Sequence, residues 1–597
     1  MDVHHSMLDI YTKYREQAIN HLQTAYGAVL IDSINIADYP ASLMLKHKVA
    51  DIEVSFIMEI PFNFPDAFPK ISLEEQSFEK VFPIPHLSSF KTLCLFDDVE
   101  ASPNPNNPIG LIEEAIVKTR DILSKGILKQ NFNEFIDEFD SYWFRECYGI
   151  FLSLVEPSDE IKKVYWVPCK LKTLPRHRGI FADTKSQAIK WIKNAGGIYK
   201  EELATEALYV PLKKQMQYPF PKNNKDIYKI IKESKISNTK EYFSHLDKYP
   251  RPSKVLFSME VEDKIAWGVW EHRKPSKKNT SLFKGRKSKQ NSLNGFRNQS
   301  QNSLVELIRD FPKQEIIKYS VEDVRPSRLK IRGGDGNTNN QGNKVVVIGC
   351  GAVGSHLIQG LFDIGVQHML LIDPDELSFE NINRHLCGAD SVGLHKTVAI
   401  KNKFQRHYPT CQIHFYNYDV MQFLTQFPEG LNSYDLIISA ISNTPIEQRM
   451  SEMQQQGVIK PPILNVWVEP YLAAGHAIWQ NSTTGVYLDS LFDKGKYKYQ
   501  VLKNANQYTK RELGCSTSYV PYGVLELKKF VTDVVLFIAK QWDQQLSESL
   551  AFTWLGNVSE QRKNRRLLEN RWVGASDFSI RHYKLENPKE STEKHDI

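Results

Sequence analysis

Three glycines at the end of an apolar run have the spacing of a phosphate-binding turn. Residues 345–348 are all apolar and predict a buried strand, and Gly349, Gly351 and Gly354 follow it as G-x-G-x-x-G. Glycines allow a tight turn and a close approach of backbone N–H groups to phosphate, and the helix predicted next adds partial positive charge. Asp373 ends the following strand, 22 residues after Gly351, where an acid accepts hydrogen bonds from ribose. This pattern suits a nicotinamide dinucleotide as well as ATP.

Polar residues after the second predicted strand favour ATP. Asn381 and Arg384 form an N-x-x-R pattern there, and Lys396 follows twelve residues after the arginine. A dinucleotide needs little beyond the helix dipole, whereas a triphosphate that loses pyrophosphate needs cations to stabilise the charge. The alternative, in which Arg384 and Lys396 are surface residues near an oxidoreductase site, stays open at this point.

A cysteine downstream of this region has a setting that suits acyl capture. Cys515 precedes a predicted helix, which Ser518 is placed to cap and Pro521 to begin. A helix N-terminus lowers the pKa of a nearby thiol, and the resulting thiolate is a nucleophile that can form a covalent intermediate. The alternative is a structural thiol. Cys350, inside the glycine turn, is expected to have a packing role.

Composition limits the class of protein that positions these residues. The 597 residues carry a net charge of +6 and are 41% hydrophobic and 24% charged, as in ordinary globular chains. No stretch has the length and hydrophobicity of a membrane span, and the N-terminus does not read as a signal peptide. The seven cysteines form no CxxC pair, which argues against a zinc ribbon and for a reducing compartment. We therefore expect a cytoplasmic protein without membrane contact, in which nucleic-acid binding is not favoured.

The predicted elements divide the chain into four parts. Residues 1–150 begin with a helix and continue as alternating strands and a second helix, which predicts an α+β domain with an antiparallel meander. Residues 151–275 mix strands and helices as an α/β middle domain without a chemical motif, and residues 276–304 read as a polar, basic linker. Residues 305–597 have the parallel-strand pattern of an α/β domain.

The combination of motifs in roughly residues 320–540 resembles the adenylation domain of ubiquitin-activating enzymes and their bacterial ThiF and MoeB relatives. The resemblance implies a Rossmann-like ThiF domain that uses ATP and Mg²⁺ to adenylate the C-terminal carboxylate of a small protein. It also implies that Asp373 binds ribose, that Asn381, Arg384 and Lys396 bind phosphates, and that Cys515 carries the thioester. The family supplies a further arginine from upstream, often across a dimer, and Arg325 or Arg328 would correspond to it.

One position departs from that family. A magnesium-binding aspartate usually follows the fourth strand, and Ser442 stands there in this chain. Asp435 begins the same strand and is therefore too far away to substitute, while Asn443 is a weak, neutral ligand. Either the phosphates hold Mg²⁺ with fewer protein ligands, or adenylation is slow. No protein metal ligand is predicted.

The N-terminal domain resembles ubiquitin-conjugating enzymes over roughly residues 10–130. The shared features are the strand meander, the segment F-P-x-x-F-P-K and a cysteine within T-L-C-L, followed by S-P and a helix. The resemblance makes Cys94 the transfer cysteine and places His86 where the family has the asparagine of His-Pro-Asn. His86 either donates a hydrogen bond to the oxyanion, as that asparagine does, or is a packed surface histidine. The alternative for Cys94 is a small core residue.

The order of conjugating, middle and activating parts resembles the fused bacterial enzymes of CBASS antiphage operons. The resemblance implies a substrate class, the C-terminus of a CD-NTase (a cyclic-nucleotide synthase) or of a ubiquitin-like protein, which is joined to a target amine. It also favours a homodimer. Three other classes stay open, namely an adenylyltransferase for a sulfur carrier, a non-catalytic scaffold and, least favoured, a hydride-transfer enzyme.

Overall fold

The structure is a computed structural model that divides into two compact units. It describes residues 2–273, 311–334, 339–511 and 518–585, apart from short gaps at residues 34, 36, 89, 97–100, 235, 237–238, 249–252, 263, 485, 487, 494 and 545–547. The first unit comprises residues 1–165 and 205–322, and the second comprises residues 166–204 and 323–597. Among the described helices, none combines the length and the hydrophobicity that a membrane crossing requires.

The first unit begins with an antiparallel meander and its flanking helices. The elements are α1 (Asp2–Tyr26), β1 (Val29–Ile31), β2 (Ala41–Val49), β3 (Ile52–Ile60), β4 (Lys70–Leu73), α2 (Glu75–Val81) and α3 (Pro108–Ile127). The strands lie in the order β1-β2-β3-β4. Alternate residues of β3 are buried and share a core with apolar residues of α1 and α3, as the period of two along a strand requires. This arrangement confirms the predicted α+β class.

A second sheet of the first unit is covered by short helices. Its strands are β5 (Cys147–Ser153), β9 (Thr205–Leu212), β10 (Ser253–Val261), β11 (Lys264–His272) and β12 (Ile317–Asp323). They lie in the order β5-β12-β11-β10-β9, and only β9 and β10 among the last four are parallel. The helices are α4 (Glu134–Asp137), α5 (Phe139–Arg145), α7 (Asn224–Glu233) and α8 (Thr239–Lys248). Large aromatic side chains fill the core between sheet and helices, with Trp143, Phe257 and Trp270 fully buried.

The predicted basic linker lies within this sheet's connections. β11 pairs antiparallel with β12, for example Gly268 with Ser320. The predicted linker at 276–304 therefore connects two neighbouring strands of one sheet, and its residues lie outside the described part of the chain.

The second unit contains residues 166–204, which in the sequence interrupt the first unit, and a larger sheet. Residues 166–204 include the end of β6 (Lys162–Lys170), β7 (His177–Ala182), α6 (Lys185–Asn194) and β8 (Ile198–Tyr199). The sheet consists of β13 (Lys344–Ile348), β14 (His368–Ile372), β15 (Gln412–Tyr416), β16 (Leu436–Ser439), β17 (Ile463–Val468), β18 (Ala474–Gln480), β23 (Ser549–Leu555) and β24 (Ile580–Leu585). Two short pairs stand apart, formed by β19 (Phe492–Asp493) with β20 (Lys496–Tyr497) and by β21 (Lys510–Arg511) with β22 (Ser518–Tyr519).

The order of the large sheet creates a crevice at its carboxyl edge. The strands lie in the order β15-β14-β13-β16-β17-β18-β23-β24, and the first five are parallel. The connecting helices are α9 (Pro326–Gly333), α10 (Ala352–Asp363), α11 (Lys396–His407), α12 (Val420–Gln426), α13 (Thr444–Gln455), α14 (Val524–Gln544) and α15 (Val558–Lys563). Because β13 is flanked by β14 and β16, the connections diverge there, and ligands of open α/β sheets bind at such a point.

Candidate functional site

The three glycines of the turn have different roles. Gly349 adopts a φ of +87°, and a Cβ there would lie 2.8 Å from the Ala440 carbonyl oxygen. A Cβ on Gly354 would lie 1.8 Å from the Gly349 carbonyl oxygen. At Gly351, which precedes α10, a Cβ would meet nothing within 4 Å. Backbone geometry therefore requires the outer two glycines, while Gly351 leaves open space over a helix N-terminus, where phosphate binds.

The acid predicted to bind ribose is turned into the protein. Asp373 is only 5% exposed, and its two carboxylate oxygens accept the backbone N–H groups of Cys350, at 2.6 Å, and Asp375, at 2.8 Å. Burial raises the pKa of Asp373, although these N–H groups and the charge of Lys396 act in the opposite direction. Asp373 therefore organises the glycine turn. The exposed acid of the pair is Asp375, which the sequence argument had not singled out.

Lys396 lies beside that exposed acid. It is the first residue of α11 and is almost completely buried, and its ammonium group lies 2.7 Å from the Asp375 carboxylate. Asn381 shapes the preceding loop, because its side-chain oxygen accepts the backbone N–H of Ser378 at 3.1 Å. Lys396 and Asp375 are thus held at the crevice, whereas the Asn381 oxygen serves the loop itself.

Arg384 connects this loop to the segment that follows Cys515. One guanidinium nitrogen donates to the Val520 carbonyl oxygen at 2.9 Å, and the guanidinium carbon lies 4.8 Å from the centre of the Tyr522 ring. His385, the next residue, accepts the Cys387 N–H on Nδ1 and therefore donates from Nε2 to the Cys350 carbonyl, 2.8 Å away. The N-x-x-R loop is consequently tied both to the glycine turn and to residues 520–522.

Cys515 lies outside the described residues, but its flanks are placed. Arg511 pairs with Ser518 at the end of the short β21–β22 ladder. The prediction that Ser518 caps a helix is therefore wrong, because Ser518 belongs to a strand and α14 begins only at Val524. Cys515 is therefore separated in sequence from the start of α14 by more than one helical turn. Because the helix dipole acts only within about the first turn, it no longer supports a lowered pKa for the Cys515 thiol.

The carboxyl end of β16 confirms the departure at the usual magnesium position. Ser442 is exposed and has a φ of +52°, and the Asn443 side chain accepts the Ile446 N–H as the cap of α13. The Asp435 carboxylate lies at the opposite end of β16, where it accepts the Lys344 N–H at 2.7 Å. Beneath Ser442 lies a buried acid that the sequence argument missed, Glu447, which accepts the Ser439 hydroxyl at 2.9 Å.

We expect Glu447→Gln to stabilise the protein in mildly alkaline solution. Burial raises the pKa of Glu447 from 4.5 to about 7, against hydrogen bonds from Ser439 and Ser442 that lower it. The folded state therefore binds the proton more tightly, and the cost of ionisation grows as pH rises from 4.5 and is complete above about 7. Glutamine avoids this cost, a gain of roughly 2–3 kcal/mol at pH 8 that disappears below pH 4.5.

Thermal unfolding of the full chain between pH 4 and 8 measures this difference. Glu452→Gln, which removes an exposed acid of the same helix, is the control and should show no such pH dependence. A glutamine variant of Glu447 that is less stable than the wild type at pH 8 would contradict the assignment.

The site fits a triphosphate better than it fits a protein-held metal ion. The turn at Gly351 is open, and the cations Arg384 and Lys396 have the charge that a triphosphate requires. Magnesium prefers carboxylate oxygens, but Ser442 offers none and Glu447 points inward. Within the described ranges, no group of three or more His, Cys, Asp or Glu side chains is arranged to hold a metal.

Neither Arg325 nor Arg328 lies at the carboxyl edge of the large sheet, where the glycine turn is. Arg325 is buried and forms a two-point ion pair with Asp323, and Arg328 is exposed on α9. The residues around them line a cleft with Gly365 and Gln367, at the amino end of β14. The structure therefore does not bring either arginine to the glycine turn of the same chain.

Cys94 lies in an exposed loop of the first unit. Its backbone N–H donates to the His86 carbonyl at 2.9 Å, next to a β-bridge between Leu87 and Leu93. Of the cysteines in the described residues, Cys94 is the exposed one, Cys147 is half-buried and the others are buried. Burial raises the pKa of Cys350 strongly and that of Cys387 to about 11, which suits packed thiols. The structure thus places Cys94 and His86 together in an exposed loop.

Both ring nitrogens of His86 contact carboxylates. Nδ1 lies 2.9 Å from Glu138 and Nε2 lies 3.0 Å from Glu134. The hydrogen bond with Glu138 is the largest cause that raises the pKa of His86, while burial lowers it. In this arrangement the imidazolium donates to two glutamates, and a hydrogen bond to an oxyanion would require it to release one of them.

Family profiles match the two halves of the chain separately. The ThiF family matches residues 327–469, and prokaryotic E2 family B matches residues 23–149. The first match includes the glycine turn and Lys396, and the second includes His86 and Cys94. The glycine turn with Lys396 and the loop with Cys94 therefore fall within the two matched regions.

Curated relatives match short parts of the chain. It is 29% identical over 126 residues to the ATP-dependent ubiquitin transferase-like protein Cap2 of Enterobacter hormaechei subsp. hoffmannii (strain UCI 50), over 21% of each chain. It is 31% identical over 100 residues to the tRNA threonylcarbamoyladenosine dehydratase of Haemophilus influenzae, over 17% of this chain and 38% of that protein. The chain thus spans only between 21% and 38% of these relatives.

Solved structures are more distant. A crystal structure of E. coli MccB with MccA-N7isoASN aligns over 42% of this chain and 66% of that chain, at 17% identity and a TM-score of 0.29. A TM-score this low does not by itself establish a shared fold. From the two family matches, the chain carries a ThiF-family domain and a prokaryotic E2-family domain on one polypeptide, as a fused E1/E2-like enzyme.

Proposed function

We propose that this protein activates the C-terminal carboxylate of a protein with ATP and transfers it through two thioesters to an amine. The carboxylate attacks ATP and gives an acyl-adenylate and pyrophosphate. The Cys515 thiolate attacks the acyl carbon and releases AMP, and the Cys94 thiolate then takes the acyl group and releases Cys515. An amine finally attacks the Cys94 thioester, loses a proton and forms an amide as the thiol leaves.

The observation that supports this route most directly is the exposure of Cys94. A core cysteine would be buried, as Cys169, Cys350, Cys387 and Cys411 are, yet Cys94 is exposed in the region that matches the E2 family. Thioester exchange requires that a second thiolate reach the sulfur, and an exposed loop permits this approach. Two reactive cysteines on one chain would also raise their effective concentration for each other.

The residues of the second unit have defined roles in the proposal. Gly351 leaves room for the triphosphate, Lys396 and Arg384 stabilise its charge, and Asp375 replaces Asp373 as the acid that accepts ribose hydroxyls. Magnesium enters with the triphosphate, because the described residues do not form a metal site. We also propose a homodimer, because Arg325 and Arg328 lie away from the glycine turn of their own chain and an arginine would then have to come from the partner. The proposed location is the cytoplasm.

The partner is proposed to be a CD-NTase, and the process antiphage defence. The similarity to Cap2 supports a ubiquitin-transferase-like reaction. The ThiF match, which covers only part of the second unit, favours a second candidate, adenylation of a sulfur carrier's carboxylate without conjugation, for which Cys94 would be dispensable.

Intact mass spectrometry after incubation with ATP distinguishes the two candidates. The full chain and a purified CD-NTase should give a covalent adduct whose mass equals the sum of the two proteins less one water. A CD-NTase that lacks its last residues is the control and should give none. Pyrophosphate release without any adduct would contradict conjugation and favour the second candidate.

A further inference from the structure

The Cys94 loop is held by one pair of helices. Four side chains of α4, α5 and their junction contact the loop around His86. Glu138, at the junction, contacts Nδ1 at 2.9 Å and the backbone N–H at 3.4 Å, and Glu134 contacts Nε2 at 3.0 Å. Arg145 donates to the Leu87 carbonyl at 3.2 Å, and Tyr142 donates to the Ile84 carbonyl at 3.3 Å.

These contacts hold the Cys94 loop, whose backbone is strained at His86. His86 has a φ of +62°, a conformation that a non-glycine residue keeps only when its surroundings enforce it. The His86 carbonyl accepts the Cys94 N–H, so the conformation of His86 sets the position of the Cys94 backbone. Glu138 contacts both the ring and the N–H of His86, which makes it the central residue of the arrangement.

The opposite face of α5 rests on the second sheet of the same unit. The Trp143 indole N–H donates to the Tyr319 carbonyl at 3.0 Å, and its ring lies 5.2 Å from that of Phe257. Lys318 forms an ion pair with Glu146 directly after the helix. The helix is therefore fixed between the sheet and the Cys94 loop, which gives residues 205–322 a structural connection to the transfer site.

We propose that α4 and α5 form a positioning element for Cys94, that Glu138 is its main positioning residue, and that the second sheet is its support. The positioning rests on contacts alone, whereas its use in transfer rests on the function proposed above. None of these residues is assigned contact with the acyl group.

The charges around His86 give the arrangement a pH dependence. The charged and titratable side chains that contact His86 or its loop are Glu134 and Glu138 at the ring and Tyr142 and Arg145 on α5. The hydrogen bond with Glu138 raises the pKa of His86, so the attachment is complete below the ordinary histidine pKa. It weakens as pH rises through the raised pKa, where the imidazolium loses its proton.

Hydrogen exchange of the full chain tests the positioning without any substrate. Glu138→Gln keeps the size of the side chain but removes its charge, and we expect the peptide that contains Cys94 to exchange about tenfold faster at pH 7. Protection, corrected for intrinsic rates, should fall with rising pH in the wild type and begin to fall at a lower pH in the variant. Asp137→Asn, an exposed acid of α4, is the matched control and should change neither.

Two outcomes overturn the positioning proposal. One is a Glu138→Gln variant whose protection and pH dependence equal those of the wild type. The other, which needs no variant, is a wild-type chain in which protection of this peptide does not change across the titration of histidine.

A transfer assay separates this inference from the proposed function. In a chain that forms the first thioester with a CD-NTase, Glu138→Gln should slow transfer to Cys94 about tenfold and leave the first thioester unchanged. Equal transfer rates would limit Glu138 to a structural role and overturn the use of the positioning element in transfer. If no variant forms a thioester, the proposed function fails, whereas the exchange result still decides the positioning of the loop.

Discussion

Lys396→Ala is expected to lower the affinity of the full chain for ATP by about two orders of magnitude, the effect typical of removing a charge-assisted contact in a partly closed site. Lys396 begins α11, and the ion pair with Asp375 holds its ammonium group at the carboxyl edge of the sheet. Isothermal titration with ATP in magnesium buffer measures the change and needs no protein substrate.

Two further variants make the result specific. Lys403→Ala removes an exposed lysine of the same helix and should leave the affinity unchanged. Gly351→Ala should fold normally, because a Cβ meets no atom within 4 Å, but it should weaken ATP binding by occupying the phosphate position. Wild-type affinity in both Lys396→Ala and Gly351→Ala would exclude this crevice as the ATP site.

Cys94→Ala is expected to abolish conjugation while a thioester on Cys515 persists. The acyl group reaches Cys94 only after its capture, so the first two steps do not depend on the second sulfur. With a CD-NTase and ATP, non-reducing electrophoresis should show a thiol-sensitive adduct of the variant and no amide product. Cys515→Ala should show neither product, yet retain exchange of pyrophosphate into ATP.

The control for the cysteine variants is Cys147→Ala. Cys147 is half-buried, its sulfur contacts the Trp143 carbonyl oxygen, and burial raises its pKa, so it is not expected to react. Conjugation that continues in Cys94→Ala would contradict the two-sulfur route and leave adenylation as the remaining activity.

The order of helices and strands followed from local patterns, because period and turn residues are properties of short segments. The run at residues 345–348 is a buried parallel strand, and a helix follows the strands of the N-terminal domain as expected, beginning at Pro108 with Asn107 as its cap. The sequence could not show which of the three glycines the backbone geometry requires. That depends on the atoms of Ala440 and Gly349 that a Cβ would meet, and only the structure shows those distances.

The parts of the site that were missed depend on residues far apart in the chain. Glu134 and Glu138 reach His86 from 48 and 52 positions away, and no motif marks them. The sequence did not single out Asp375, because Asp373, two positions earlier, fitted the same spacing. Only their burial in the structure distinguishes the two acids. Ser518 had the residue type of a cap, but pairing with Arg511 took precedence over that local preference.

The path of the backbone between the two units has a practical meaning for dissecting the protein. The chain crosses from one unit to the other three times, after residues 165, 204 and 322. A gene fragment that stops near residue 150 would keep Trp143 but lose the strands that bury it, and one that starts at residue 323 would lose residues 166–204. Recombinant halves should therefore aggregate, so the two chemistries are better separated by point substitution than by truncation.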